Sequence, residues 1–382
     1  MSARVQTVVA GAGVVGLAVA RALAISGREV LVCESELLAG SVTSSRNSGV
    51  VHAGIYYAQG SLKARTCVDG RAHLYRFCEE MGVAHRRCGK LIVATEEAQL
   101  ATLKMLRQKA EANGVSGADA LHLLSAEEVR EREPEVSCVG ALFSPATGIV
   151  DAHELMVALQ GGAEAHGAIV ALGSPVLGGS PLRAGKGQGG RLRVQTPELE
   201  LHCDELVNCA GHGAPRVARS LVGVEPSSLP QQHFAKGNYY SLRGRSPFSC
   251  LVYPVPEEAG LGVHATLDLG GQCRFGPDVE WVSPGANGEL DYQVDHSRAD
   301  IFYDEVRRYW PGLPDGSLVP DYAGVRPKIQ AAGEPSKDFV VAGEGRTPFV
   351  SILPSFVSRC VLYVLSCVLS FVLHVLHAVL RT

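Results

Sequence analysis

The stretch RVQTVVAGAGVVGLAVARALAISGREVLVCE, residues 4–34, constrains the fold more than any other part of the chain. A β-branched run, Val5 to Val9, enters Gly11-Ala12-Gly13-Val14-Val15-Gly16. Small and apolar residues at helical spacing follow, and Gly27 is a stop signal. A second strand, 28–34, ends in Glu34. This is the strand–turn–helix–strand context that the GxGxxG pattern requires. Gly11 makes the tight turn, Gly13 lets the backbone approach a pyrophosphate, and Gly16 lets the helix pack close to the strand. The helix N-terminus faces the phosphates. Glu34, 23 residues past Gly11, is placed to accept from ribose hydroxyls and disfavours a 2′-phosphate. The motif alone does not separate FAD from NAD.

The segment after Glu34 favours FAD. An NAD-type unit would begin a second helix there. LLAGSVTSSRNSGVV, residues 37–51, is a poor helix, with two glycines, several Ser and Thr, and β-branched residues. A long ordered loop that passes the pyrophosphate and continues toward the isoalloxazine fits it better. Ser45, Arg46, Asn47 and Ser48 supply hydroxyl, amide and guanidinium donors for phosphate and flavin oxygens.

Composition narrows the rest. The 382 residues are enough for two domains, and 46% hydrophobic against 19% charged residues allows a large buried core. A formal net charge of -4 gives no reason to expect nucleic acid as a partner. The 11 cysteines form no CxxC pair and no zinc-like spacing with histidine, which points to reduced thiols and no metal site. No signal peptide or mitochondrial presequence is read before the first strand.

Four segments in order, TSSRNSGVVHAGIYY (43–57), GSLKARTCVDG (60–70), YPVPEEAGLGVHATLDLGG (253–271) and YAGVRPKI (322–329), resemble the L-2-hydroxyglutarate dehydrogenase/oxidase family. That family lies within the FAD-dependent group that includes D-amino-acid oxidase and glycerol-3-phosphate dehydrogenase. The resemblance spans about residues 4–345. It implies an α/β fold in which an FAD-binding Rossmann-like domain (1–90, 150–225 and 325–348) interleaves with an α+β antiparallel-sheet substrate domain (91–149 and 226–324). It also implies FAD as cofactor, a small 2-hydroxy acid as substrate, and a quinone, another acceptor or oxygen as electron sink. Mitochondrial or bacterial inner-membrane association is the family's expectation. In such a fold the turn at Gly211 lies against the FAD, and KDFVVAG, 337–343, is the last strand of the nucleotide-binding sheet.

Oxidising a 2-hydroxy acid requires a base for the hydroxyl proton, a hydride acceptor, and cations for the carboxylates. Of 13 histidines, His52 and His264 lie inside the motifs. His264, on a strand expected to face the substrate, is the base candidate, with His52 second. Each has a plainer reading as a hydrogen-bonded structural histidine. Arg326, in Gly-Val-Arg-Pro, matches an arginine that pairs with substrate carboxylate in related oxidases, a task suited to a bidentate fork. Lys236 and Tyr57 are candidates for the second carboxylate. Among the secondary elements, 61–81 and 96–114 read as helices, Ser125 opens a capping box and Asp151 is an N-cap.

Residues 349–382 change character, with no Asp, Glu, Lys or Gly. From Cys360 to Leu380, 21 residues carry no charge apart from histidine, long enough for a membrane span. This segment reads as a hydrophobic C-terminal helix: a tail anchor at 360–380, a buried or oligomerising helix, or the product of an altered reading frame. The resemblance implies a Gly-rich loop and a helix near the flavin after the DFVV strand, and this segment has no such text. Three functions follow as expectations: oxidation of L-2-hydroxyglutarate or a related acid, a non-catalytic membrane-tethered relative, or oxidation of glycerol 3-phosphate or an amino acid.

Overall fold

The computed structural model describes residues 2–182, 191–256, 262–342 and 349–353. Its first 33 residues form the unit that the glycine pattern predicts. The strand Thr7–Ala10 is buried throughout, the helix Val14–Ile25 crosses over, and the strand Val30–Cys33 returns parallel to the first, Thr7 opposite Val30. These strands sit in a six-stranded sheet. Its order is Ile169–Ala171, Val30–Cys33, Thr7–Ala10, Glu205–Asn208, Phe349–Leu353 and Val340–Ala342. All neighbours run parallel except the last pair. The expected terminal strand at 337–343 is therefore present as the antiparallel edge. Leu17, Val19 and Leu23 of the first helix pack with Leu155 and Leu159 of the helix Ala152–Glu164 in one core. Burial on this scale supplies most of the stability of such a layer.

The second large sheet has nine strands and belongs to the other half of the molecule. Its centre joins His233–Leu242, Cys273–Phe275, Ala265–Leu267, Leu251–Pro254, Lys90–Ala94 and Gly140–Ser144 in that order. The long strand Leu318–Lys328 lies against His233–Leu242. The expectation of a purely antiparallel sheet is corrected here: Leu251–Pro254 runs parallel to Lys90–Ala94. These two strands come from segments about 160 residues apart, so no hairpin sets their relative direction. The sheet is mixed.

Helix boundaries follow local chemistry. The helix Leu62–Met81 starts at Ser61, whose hydroxyl accepts from the Ala64 N–H, and stops at Gly82 with φ 69°. The Asp338 carboxylate accepts from the Leu62 and Lys63 N–H groups at 2.6 and 3.1 Å. Ser125 and Glu128 form the reciprocal capping box, and Asp151 accepts from His153 and Glu154. Among the described residues no helix is long and apolar enough to cross a membrane. The reading of a hydrophobic helical tail from residue 349 is corrected at its start, because Phe349–Leu353 is a strand paired with Glu205–Asn208; the segment 360–380 lies outside the described residues.

Candidate active site

The glycine turn shapes a cradle out of backbone. Gly11 has φ 100°, and a Cβ there would lie 2.7 Å from the Cys209 carbonyl oxygen. A Cβ on Gly16 would lie 1.9 Å from the Gly11 carbonyl oxygen. Only glycine permits this approach of helix to strand. Gly13 occupies the N-cap position and brings no side-chain cap of its own, so the N-terminal end of the Val14–Ile25 helix borders the space beyond. That space is a cavity of about 670 Å³ lined by Gly11, Gly13, Glu34 and Gly211, among others. Its size and its helix end suit an extended dinucleotide. Glu34 is 8% exposed. One carboxylate oxygen accepts from the Ala12 N–H at 2.6 Å, and the other accepts from the Ser35 hydroxyl and the Glu36 N–H. Glu34 thus fixes both rims of the turn while lining the cavity.

The loop after Glu34 divides differently from expectation. Thr43–Ser45 forms a single 3-10 turn. It presents Thr43 and Ser44 to the cavity, and the Ser44 hydroxyl accepts from the Val14 N–H at 3.1 Å. Ser45 turns away and donates to the carbonyls of Ser41 and Val42. Asn47 donates to the Ser44 carbonyl and accepts from the Gly49 N–H. The Arg46 guanidinium lies over the Tyr292 ring at 4.4 Å and reaches the Ala323 carbonyl. Ser48 is buried beyond them. None of these four residues lines the cavity. Ser41, Thr43 and Ser44 supply its hydroxyls and Arg216 a guanidinium. Ser44 stands in the same SSRNS run, so that signal was one residue away.

Gly211 has φ 53° and sits beside His212. The His212 Nε2 lies 3.0 Å from the Val325 carbonyl oxygen and 3.2 Å from the Thr43 hydroxyl. Burial lowers the pKa of His212, and the Val325 contact opposes that shift. Residues 287–290 and Tyr292 form the outer wall of the cavity.

A second constellation gathers residues of the large sheet with His52, whose strand belongs to a separate three-stranded sheet. His52, 4% exposed, follows the short strand Val50–Val51. The helix Leu62–Met81 steadies its backbone: the Cys67 thiol contacts the His52 carbonyl, and Arg71 donates to the Ala53 carbonyl. His264, 1% exposed, immediately precedes the strand Ala265–Leu267. Its ring stacks on Tyr253, with centroids 3.5 Å apart and planes at 14°. The Lys90 ammonium lies 4.7 Å from the Tyr253 ring centroid and 4.8 Å from that of Tyr56. Burial, and then the Lys90 charge, push the pKa of His52 well below its usual 6.5. Both effects favour the neutral imidazole of His52. Lys90 is a residue that sequence reasoning missed. Its only signal was a lysine heading an otherwise apolar strand.

The carboxylate candidates are engaged with the protein itself. Arg326, 3% exposed, donates from Nε to the Ala235 carbonyl and from Nη2 to the carbonyls of Lys236 and Asp278. Lys236 pairs with Asp291 at 2.9 Å, next to the cavity's outer wall. Tyr57 is buried with Ala64 and Cys67.

The FAD dependent oxidoreductase family matches residues 6–354. The mitochondrial L-2-hydroxyglutarate dehydrogenase of Arabidopsis thaliana is 43% identical over 373 residues, covering 89% of this chain and 77% of the plant protein. The L-2-hydroxyglutarate dehydrogenase of Escherichia coli is 29% identical over 388 residues, covering 91% and 88%. The human mitochondrial L-2-hydroxyglutarate dehydrogenase is 35% identical over 287 residues, covering 71% of this chain and 60% of the human protein. Among solved structures, dithionite-reduced L-alpha-glycerophosphate oxidase from Mycoplasma pneumoniae with FAD bound has a TM-score of 0.83 at 22% identity, covering 99% and 95%. Glycine oxidase from Geobacillus kaustophilus has a TM-score of 0.79 at 20% identity, with the same coverage. At these identities the two structures speak to the fold alone.

Proposed function

The chain belongs to the FAD-dependent oxidoreductase family, among the L-2-hydroxyglutarate dehydrogenases, and from this premise we propose that it oxidises L-2-hydroxyglutarate to 2-oxoglutarate. The observation that carries the substrate is the 43% identity spread over 89% of the chain. FAD, when bound, supplies the two-electron acceptor for the C2 hydride. In this reading Gly11, Gly13, Ser44 and Gly211 hold the dinucleotide, and Glu34 keeps the turn closed. Ser45, Arg46, Asn47 and Ser48 form the inner part of the same loop, toward the flavin ring. A buried imidazole removes the hydroxyl proton: His264 first, with His52 as the second acceptor. Arg326 is the candidate partner for the substrate carboxylate, and it also ties strand Leu318–Lys328 to the carbonyls of Ala235, Lys236 and Asp278.

The division into FAD-binding segments (1–90, 150–225, 325–348) and substrate segments (91–149, 226–324) belongs to the same reading. In its support, the strands of the substrate segments mostly join the nine-stranded sheet, whereas those of the FAD-binding segments lie mainly in the six- and four-stranded sheets. A quinone or another acceptor takes the electrons onward, and the apolar segment 360–380 is the place where the chain would meet a bilayer.

The test is the visible spectrum of the purified full chain in detergent, before and after anaerobic substrate. Flavin bands bleached by L-2-hydroxyglutarate, and not by its D-enantiomer, glycerol 3-phosphate or amino acids, are expected. Bleaching by one of the others, or by none, overturns the assignment.

A further inference from the structure

We propose that His212 is a positioning residue through which an occupied dinucleotide cavity steadies the strand segment that carries Arg326. This rests on the reading that FAD fills the cavity and that Arg326 partners the substrate carboxylate. His212 stands where three segments meet: the Gly211 turn, the 3-10 turn Thr43–Ser45 and the strand Leu318–Lys328. Its Nε2 is shared between the Val325 carbonyl, at 3.0 Å, and the Thr43 hydroxyl, at 3.2 Å. A carbonyl only accepts, so Nε2 carries the proton and donates to Val325. Burial favours the same neutral ring. The ring also meets Phe234 edge-on, with centroids 5.6 Å apart and planes at 80°.

The strand register carries this contact to Arg326. Phe234 pairs with Pro327, and Ala235 with Arg326. Side chains alternate along a strand, so Pro327 and Arg326 project to opposite faces. On the cavity side, His212, Phe234 and Pro327 all line the wall. Away from it, the Arg326 guanidinium reaches the carbonyls of Ala235, Lys236 and Asp278. A ligand that fills the cavity packs on Pro327 and on His212, and His212 holds Val325. The residues on both sides of Arg326 are then fixed from the cofactor side. Other contacts tie the same strand to the loop: Arg46 donates to the Ala323 carbonyl, and the Tyr322 hydroxyl donates to the Asn47 carbonyl. Neither Arg46 nor Asn47 lines the cavity. His212 both lines it and bonds the strand, so it is the direct link between ligand and Arg326. A leucine would fill much of its space and leave the Val325 carbonyl without that donor.

The experiment is hydrogen–deuterium exchange on the full chain with and without FAD, for wild type, His212→Leu and His212→Gln. In wild type, FAD should slow exchange across residues 324–328 by about fivefold or more, the lower end of an ordinary coupling between sites. In His212→Leu that slowing should fall below about twofold, while FAD still protects the glycine turn at 10–16. His212→Gln, whose amide can donate from nearly the same place, should restore it. Wild-type-like slowing in His212→Leu overturns the proposal, as does wild type whose 324–328 segment does not respond to FAD. If His212→Leu fails to load flavin, His212→Asn takes its place, because its amide is too short to reach Val325. Steady-state kinetics add a second reading. Flavin-loaded His212→Leu should raise KM for L-2-hydroxyglutarate by about fivefold or more and leave kcat within about threefold, with His212→Gln near wild type. An unchanged KM, or a fall in kcat alone, overturns the link to Arg326. If wild type itself is not reduced by L-2-hydroxyglutarate, the functional reading has failed instead. The exchange experiment uses FAD alone and still decides whether His212 couples the cavity to the strand.

Discussion

The glycine cradle and the buried lysine–histidine cluster are two ways of building a site. The cradle is made by backbone within one βαβ unit, where a missing side chain is the functional feature. The cluster is made by side chains from three distant segments, around residues 52–56, 90 and 253–264, that meet only in the finished sheet. The first has no room for an added Cβ at Gly11 or Gly16. The second depends on strand pairing and on charge held in an apolar setting. A backbone site leaves a local pattern in the sequence, whereas a convergent site leaves isolated residues.

Three outcomes would break or sharpen this contrast. The largest effect is expected at Gly11→Ala. The new Cβ would press on the Cys209 carbonyl at φ 100°. Flavin content should fall to background, with a stability loss of about 3 kcal/mol or more in urea unfolding. Retention of flavin by this variant would mean that the cradle yields, and the contrast would be lost.

Arg326→Met comes next. It strips a guanidinium from three carbonyls, and a loss of about 2–4 kcal/mol is expected. If Arg326 acts mainly through the sheet, thermal unfolding shifts far more than KM. A large KM increase at unchanged stability would make it a direct carboxylate ligand.

The smallest effect is in pH. His52 and His212 both have lowered pKa values, chiefly through burial. The unfolded chain binds their protons below about 6.5, and the folded chain resists doing so. Their contribution is thus fully present above pH 6.5 and is lost as pH falls toward the folded values. Unfolding free energy should decline by at most about 1.4 kcal/mol per pH unit for each proton taken up. His52→Gln should flatten that slope. An unchanged slope in the variant would show that the His52 site is open to water.

What was legible follows the same line. The βαβ unit, the helices at 62–81 and 100–112, the capping box at Ser125 and the cap at Asp151 all rest on neighbours a few residues apart. Glu34, read from its place at the end of the second strand, lines the cavity and also ties down the turn through Ala12 and Glu36. Ser45 was preferred to Ser44 because composition cannot tell which hydroxyl of a 3-10 turn faces inward. Lys90 was passed over because its partners Tyr56 and Tyr253 are set by tertiary packing. The parallel pairing of Leu251–Pro254 with Lys90–Ala94 has no local signature at all. Arg326 was read from its Gly-Val-Arg-Pro setting as a partner for substrate carboxylate, and its carbonyl partners appear only once strand Leu318–Lys328 lies on His233–Leu242.

The carboxylate of Asp338 closes a contact with Leu62 across 276 residues. During synthesis the first βαβ unit can close as soon as its own residues emerge. The start of the Leu62–Met81 helix must wait for most of the chain before its first N–H groups find that acceptor. The same helix supports His52 through Cys67 and Arg71. The first βαβ unit can therefore take shape early on the ribosome, while the six-stranded sheet, which ends in Val340–Ala342 and Phe349–Leu353, and the support beneath His52 are completed only when the last described strands arrive.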